Sequence, residues 1–201
     1  MDGVAFVAYG DKAKSELEQS IKELRKHCNH PFIVISDRKI KPYRTVVFDA
    51  LYKPIRWPKL CINLLTPFKR TLYLDVDTRV RQPIEAGFQM LTDGWDIVIA
   101  PSGQQDEESM WHVEKDEREL TLNALGFNQV LQLQAGVFWF KKSERVDEFF
   151  FNWRMEWTKK FKGQDQAAML RALYQTPVKV WLLGRCWNGG AVINHLFGRL
   201  R

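Results

Sequence analysis

The chain has 201 residues, 45% of them apolar and 27% charged, which suits one ordinary domain spanning residues 1–201 and excludes wholesale disorder. Lys plus Arg number 30 against 24 for Asp plus Glu, and the resulting +6 points to an anionic partner: nucleic acid, a membrane surface or a phosphorylated small molecule. The N-terminus, MDGVAFVAYGDKAKSE, lacks a basic stretch followed by an apolar one, and no apolar run nears the roughly 20 residues of a membrane helix, so a cytoplasmic protein without a membrane span is expected.

The elements alternate along the chain. Val4–Tyr9 is a short apolar run that reads as a buried strand. Ala13, Leu17, Ile21 and Leu24 recur at helical spacing, which predicts an amphipathic helix over residues 12–27. Pro31–Ser36 and Thr45–Phe48 read as strands, and Lys59–Leu65 as a helix. Thr71–Leu74 is a further strand, followed by a helix that ends near Leu91 and a strand over Asp96–Ala100. The polar, acidic segment Ser102–Glu119 reads as a long loop, a length that favours function or motion. Leu133–Phe140 is a strand, Ser143 caps a long aromatic helix, Asp165 opens another helix, and Val178–Leu183 is the last strand. Such alternation with continuously apolar strands implies an α/β fold, a largely parallel sheet sandwiched by helices. Ligands of these sheets bind beyond the carboxyl ends of the strands.

Three features call for a bland reading first. Cys28, Cys61 and Cys186 are odd in number and far apart, as buried thiols in a reducing interior would be. His27, Cys28 and His30 are too close together for an ordinary zinc site and lack a second cluster, so they read as a helix end and loop. Lys159, Lys160 and Lys162 read as a solvated helix end. The 8 Trp, 13 Phe and 5 Tyr are many for this length. Core packing explains most of Phe149, Phe150, Phe151, Trp153 and Trp157, with a remainder that a homodimer contact or an acceptor platform would use.

The chemistry concentrates at Asp75-Val76-Asp77, where an apolar strand delivers two carboxylates two residues apart. In extended backbone such residues point to one side, so both converge on one cation. Their oxygens suit Mg2+ or Mn2+, which keep positions open for substrate phosphates. A solvated strand end is the bland alternative. Two chemistries fit the pair. One is a haloacid-dehalogenase-like, Mg-dependent phosphatase, whose Asp-x-Asp-x-Thr pattern wants Thr where Arg79 stands. The other is a metal-dependent nucleotide-sugar glycosyltransferase, in which the pair follows several strands of nucleotide-binding core.

Four segments in order support the second. Leu72–Asp77 resembles the Asp-x-Asp strand of retaining glycosyltransferases with the GT-A fold, notably the glycogenin and lipopolysaccharide galactosyltransferase family. Gln134-Ala135-Gly136-Val137-Phe138 is similar to that family's segment beside the donor sugar. Gly163-Gln164-Asp165-Gln166 resembles its Gln-Asp-Gln element, and His195 to Arg201 its His-x-x-Gly-x-x-Lys.

The resemblance implies a GT-A, Rossmann-like, mixed and mainly parallel sheet flanked by helices. It implies a hexosyltransferase that takes glucose or galactose from a UDP-sugar, with Mn2+ or Mg2+ as cofactor, and hands it to an unknown carbohydrate, protein or other acceptor with retention. Asp75, Asp77 and His195 would hold the metal. Val76, Gln134, Ala135 and Gly136 would lie against the donor. Gly198 would admit the diphosphate to the backbone, and Arg201 would contact it where the family has Lys. Asp165 would bind sugar hydroxyls and Gln166 would lie near the anomeric carbon. Ala167 stands where the family often has a further acid, and Lys59 where it commonly has Arg near the donor. Ala8 and Tyr9 end the first strand, where Tyr9 would stack on the base, with Asp11 or Asp37 reaching a pyrimidine N–H. No helix-turn-helix or RNA-binding signature accompanies the charge, so nucleic acid is not the expected partner.

Overall fold

The computed structural model describes residues 1–49, 56–102, 110, 112–126, 130–159 and 161–198. Its strands are β1 (Asp2–Val7), β2 (Phe32–Ser36), β3 (Thr45–Val47), β4 (Arg70–Leu74), β5 (Thr78–Val80), β6 (Ile97–Pro101), β7 (Leu133–Lys141), β8 (Val180–Leu182) and β9 (Ile193–His195). Its helices are α1 (Gly10–Leu24), α2 (Arg56–Leu60), α3 (Ile62–Leu65), α4 (Glu85–Thr92), α5 (Lys115–Leu125), α6 (Glu144–Lys159) and α7 (Asp165–Gln175). Seven strands form one sheet in the order β3-β2-β1-β4-β7-β6-β8, and β5 and β9 form a small second sheet. The large sheet is parallel throughout except at β7, which runs against both β4 and β6.

That reversal positions the site. Leu74 at the carboxyl end of β4 is paired with Val137 of β7. The next residues therefore meet across the same gap, and the Asp75 N–H donates to the Gly136 carbonyl at 2.8 Å. The carboxyl edges of β1 and β4 thus face the entering end of β7.

Strand periodicity sorts the core onto two faces. Leu72, Leu74, Val137 and Trp139 pack with Leu17 and Leu24 of α1 and Phe88 of α4. Tyr73, Phe138 and Phe140 pack on the other face with Phe149, Phe150, Trp153 and Trp157 of α6. Trp139, Trp153 and Trp157 are among the largest fully buried side chains, so much of the aromatic content is core. Two of them also hold backbone: Trp153 Nε1–H donates to the Asp165 carbonyl at 2.8 Å and Trp157 Nε1–H to the Gly163 carbonyl at 3.2 Å. The start of α7 is therefore fixed by the tryptophans of α6. Phe151 and Phe161 remain exposed.

Some elements differ from the sequence expectation. The helix expected over Lys59–Leu65 is two short helices that meet at Cys61, with Pro58 inside the first. The expected loop ends early, because α5 starts at Lys115 and closes on Gly126 in the left-handed conformation (φ 78°). Its inward residues are Glu117, Thr121 and Leu125. Two of the three are polar and engage the buried Arg171 of α7, so apolar periodicity is absent where the helix packs. Residues 103–109 and 111 of that segment, and Lys160 of the lysine cluster, lie outside the described residues. β5 and β9, three residues each, carry no strand pattern of their own.

Gly87 of α4 lies against Trp139, and an added Cβ would stand 2.3 Å from the indole Cε2. Helix propensity alone favours alanine there by about 1 kcal/mol. The clash with a fully buried ring outweighs it, and Gly87→Ala is expected to destabilise by ~1–3 kcal/mol. Thermal unfolding should show a lowered midpoint, and an unchanged or raised one would mean that α4 does not seat on Trp139 this closely.

Candidate active site

Asp75 and Asp77 lie in a turn rather than on the strand. β4 ends at Leu74, and the Thr78 N–H and hydroxyl both donate to the Asp75 carbonyl, at 3.1 and 2.7 Å. The two carboxylates converge because the chain folds back into β5, not because of strand alternation. Val76 between them is buried in the α1-side core, and its carbonyl accepts from Arg79 Nη1 at 3.1 Å.

β9 then brings in His195, opposite Thr78 in the β5–β9 register. The Leu196 N–H donates to the Asp77 carbonyl at 2.9 Å and locks the strand beside the turn. His195 Nε2 stands 3.2 Å from Asp77 Oδ1 and 3.8 Å from Asp75 Oδ2. One ligand atom from each of Asp75, Asp77 and His195 falls within 4.8 Å of the others, the one such group of three among the described residues. Two carboxylate oxygens and an imidazole nitrogen suit a divalent ion of the Mn2+ or Mg2+ type.

The surroundings fit such an ion. His195 Nδ1–H donates to Asn188 Oδ1 at 2.7 Å, and Asn188 Nδ2 donates to the Gln134 carbonyl at 3.1 Å. The second bond fixes the amide, the first orients the imidazole with Nδ1 as donor, and Nε2 is left facing the carboxylates as the atom that would ligate a cation there. Gly136 supplies the wall: an added Cβ would stand 2.3 Å from His195 Cε1 and 2.7 Å from Asp75 Oδ2. Desolvation pushes the Asp75 carboxyl up, and the Asp77 charge adds to this, while Lys59 and His195 oppose it. A cation among these groups would relieve that strain on the charged form.

The second half of the site is built on Lys59, which α2 buries. Its ammonium is 2.8 Å from Asp165 Oδ2 and 3.7 Å from Asp75 Oδ1. Desolvation opposes the charge on Lys59, but Asp165 and Asp75 together hold its pKa above the usual value. Desolvation likewise opposes the charge on Asp165, yet Lys59 and Arg56 hold its carboxyl below the usual range. Arg56 lies 3.7 Å from Asp165 Oδ1 and donates to the Gly163 carbonyl at 2.7 Å. Asp165 is the first residue of α7. Gln164 takes the cap position and makes no side-chain cap bond, so the Asp165 carboxylate is turned to these cations instead. Gln166, next along, donates from Nε2 to Gln134 Oε1 and meets His112 Nε2 with its Oε1, both at 2.5 Å. Ala135 is buried between Gln134 and Gly136.

The remaining candidates are less concentrated. Ala8 is buried at the carboxyl end of β1, where its N–H donates to the Ile35 carbonyl at 2.9 Å. Tyr9 is half-buried with its hydroxyl on the Phe48 carbonyl, and burial, then Asp37 and Asp49, push its pKa up to about 12. Asp11 is exposed in the first turn of α1 and pairs with Arg38 and Lys14. Gly198 has φ 84° and nothing within 4 Å of an added Cβ, so glycine is needed there for conformation rather than for room. Arg201, with positions 199 and 200, lies outside the described residues.

Sequence reasoning passed over four residues. Tyr73 donates its hydroxyl to Asp75 Oδ1, and its strand position two residues before Asp75 was the available signal. Arg56, Asn188 and His112 act through contacts distant in sequence, and no local spacing marks them.

No protein-family model matches the sequence, and no curated protein does. Solved structures do match. The apo form of mouse xyloside xylosyltransferase 1 superposes with a TM-score of 0.62 at 13% identity, over 94% of this chain and 87% of that one. The galactosyltransferase LgtC, in complex with donor and acceptor sugar analogs, gives 0.63 at 14% identity, over 92% and 74%. The bifunctional glycosyltransferase WbbM gives 0.61 at 16% identity, over 90% of this chain but only 38% of that one. The chain therefore has the GT-A, Rossmann-like glycosyltransferase fold, a mixed and mostly parallel sheet between helices. Among the described residues no helix is long and apolar enough to cross a membrane.

Two outcomes follow from the geometry. Gly136→Ala should leave the fold intact but displace His195 or Asp75, weakening Mn2+ affinity by ~10–100-fold, as loss of ligand orientation does. Calorimetric titration with Mn2+ reads this directly, and wild-type affinity would show that Gly136 does not back the site. Lys59→Met should destabilise by ~3 kcal/mol near neutral pH, because it leaves Asp165 buried without its nearest cation. The Asp165 contribution is complete above its ordinary value of 3.8 and is lost as pH falls through the lower folded value. The Lys59 contribution is complete below its ordinary 10.5 and is lost as pH rises through the higher folded value. Urea unfolding across pH should therefore show the gap between wild type and variant widest between those limits.

Proposed function

We propose that the chain transfers a hexose, glucose or galactose, from a UDP-linked donor to an acceptor, with retention at the anomeric carbon. The observation that carries this reading is the Asp75, Asp77 and His195 group at the carboxyl edge of the sheet, braced by Gly136 and Asn188. Those three side chains would hold Mn2+ or Mg2+. Bound there, the ion supplies positive charge to the diphosphate, which gains charge as the sugar leaves.

The chain's own residues serve the donor in parallel. Lys59 keeps a fixed positive charge between Asp75 and Asp165, on the path from diphosphate to sugar. Asp165, held ionised, accepts hydrogen bonds from sugar hydroxyls. Gln166 brings an amide to the anomeric carbon, and among the described residues Asp75, Asp77 and Asp165 each already face a cationic group or His195. This favours departure and return on one face through an oxocarbenium-like ion pair. Tyr9 offers a ring for the base, and Gly198 a left-handed turn for the diphosphate. A phosphatase would need Asp75 as a free nucleophile. Its Oδ1 instead carries the Tyr73 hydroxyl and faces Lys59, and its Oδ2 faces His195. The acceptor is a carbohydrate, protein or other hydroxyl-bearing molecule.

UDP should bind only with Mn2+ or Mg2+ present, and chelation should abolish binding. Slow hydrolysis should appear for one member of a panel of nucleotide sugars. Asp77→Ala should lower turnover by ~10²–10³-fold, the usual loss when one charge-stabilising group is removed. Unaltered UDP binding and turnover in that variant would overturn the metal assignment.

A further inference from the structure

A continuous chain of polar contacts joins the metal side of the site to the sugar side. It runs from His195 through Asn188 to the Gln134 carbonyl, then from the Gln134 side chain to Gln166 and on to His112. Its last link fixes what Gln166 can do. Gln166 Nε2 donates to Gln134 Oε1, so Gln166 Oε1 is turned to His112 Nε2. A carbonyl oxygen only accepts, so His112 Nε2 carries a hydrogen.

We infer that His112 is a positioning residue that withdraws the Gln166 carbonyl oxygen, so that Gln166 offers the donor sugar its remaining amide N–H and not its oxygen. This rests on the proposed glycosyl transfer. His112 is suited to the role because its backbone is anchored on both sides. Met110 and Val113 are buried, and the Val113 N–H donates to the Met110 carbonyl at 2.9 Å, closing a turn with His112 inside it. Met110 adopts φ 56° to make that turn. Without His112, three side-chain torsions of Gln166 are held at one amide end only, and the amide turns about its bond to Gln134. His112 meets the side chain placed near the anomeric carbon, and Gln166, Gln134 and Asn188 stand between it and His195 along the polar chain, so its effect should fall on the sugar step.

The test is a comparison of His112→Leu with His112→Gln, whose side-chain N–H reaches about as far as the imidazole Nε2. Calorimetry with UDP and Mn2+ reports the nucleotide side, and hydrolysis of UDP-glucose and UDP-galactose reports the sugar side. His112→Leu should lower kcat by ~10–100-fold, the usual effect of misplacing a group near the reacting centre. UDP affinity and donor KM should stay within about twofold of wild type, which marks an interaction used in the transition state. His112→Gln should recover most of the lost kcat. The inference is overturned if His112→Leu keeps wild-type kcat, if UDP affinity falls along with kcat, or if His112→Gln is no better than His112→Leu. A wild-type chain that neither binds UDP with Mn2+ nor hydrolyses a UDP-hexose would overturn the parent reading, and this one with it.

Discussion

Asp75 and Asp165 stand on opposite walls of the site, and the Lys59 ammonium lies between them at 3.7 and 2.8 Å. Desolvation disfavours the charge on each of the three; Lys59 and Asp165 are held charged by their neighbours, while the Asp75 carboxyl stays pushed up although Lys59 opposes it. Burial alone would neutralise an isolated carboxyl or ammonium in such a place. The arrangement depends on α2 delivering Lys59 from one side of the chain and α7 delivering Asp165 from the other. The tryptophans of α6 matter for this reason. Trp153 and Trp157 hold the backbone at Asp165 and Gly163, so Asp165 does not have to find Lys59 by chance. Arg56 does the same from α2, bonding the Gly163 carbonyl while facing the Asp165 carboxylate. The aromatic surplus of the sequence is thus partly a device that positions Asp165 beside Lys59.

The Asp75, Asp77 and His195 end of the site depends on a different constraint, the reversal of β7. A strand entering antiparallel to β4 brings Gly136 to Asp75, and Gln134 just beyond it. With no Cβ at residue 136, an imidazole fits against the strand. Gln134 then serves both ends, its carbonyl holding Asn188 and its side chain holding Gln166. A short stretch of one strand therefore sets the orientation of the His195 imidazole and the Gln166 amide.

The legible parts of the fold were those whose burial is apolar. β1, β2, β4, β6 and β7 are continuous apolar runs because both faces of the sheet are covered, and α1 shows its inward stripe as Ala13, Leu17, Ile21 and Leu24. α5 was hidden because its inward face is Glu117 and Thr121, paired with a buried arginine. β5 and β9 were hidden because three residues carry no period. In the site, Asp75 and Asp77 are legible from type and spacing and His195 only through the family resemblance, and a turn, not a pleat, brings the carboxylates together. At the start of a helix an aspartate carries no local sign that its carboxylate meets Lys59 and Arg56, which come from more than 100 residues earlier. Arg56 and His112 act on residues far along the chain, and Asn188, though near His195 in sequence, is oriented by the distant Gln134 carbonyl, so no local pattern marks any of them.

His195 arrives on the last strand, and Asp75 and Asp77 lie before the middle of the chain. Among the described residues the backbone pairing between them is a two-stranded ribbon of three residues a side with one flanking bond at each end, and such a ribbon is marginal alone. Closing so long a loop is costly in entropy, and a ligand bridging its two ends returns most where the loop is longest. A cation shared by these residues would therefore act as a removable cross-link, with β9 fastened to the Asp75–Asp77 turn when the ion is held and loosened when it leaves.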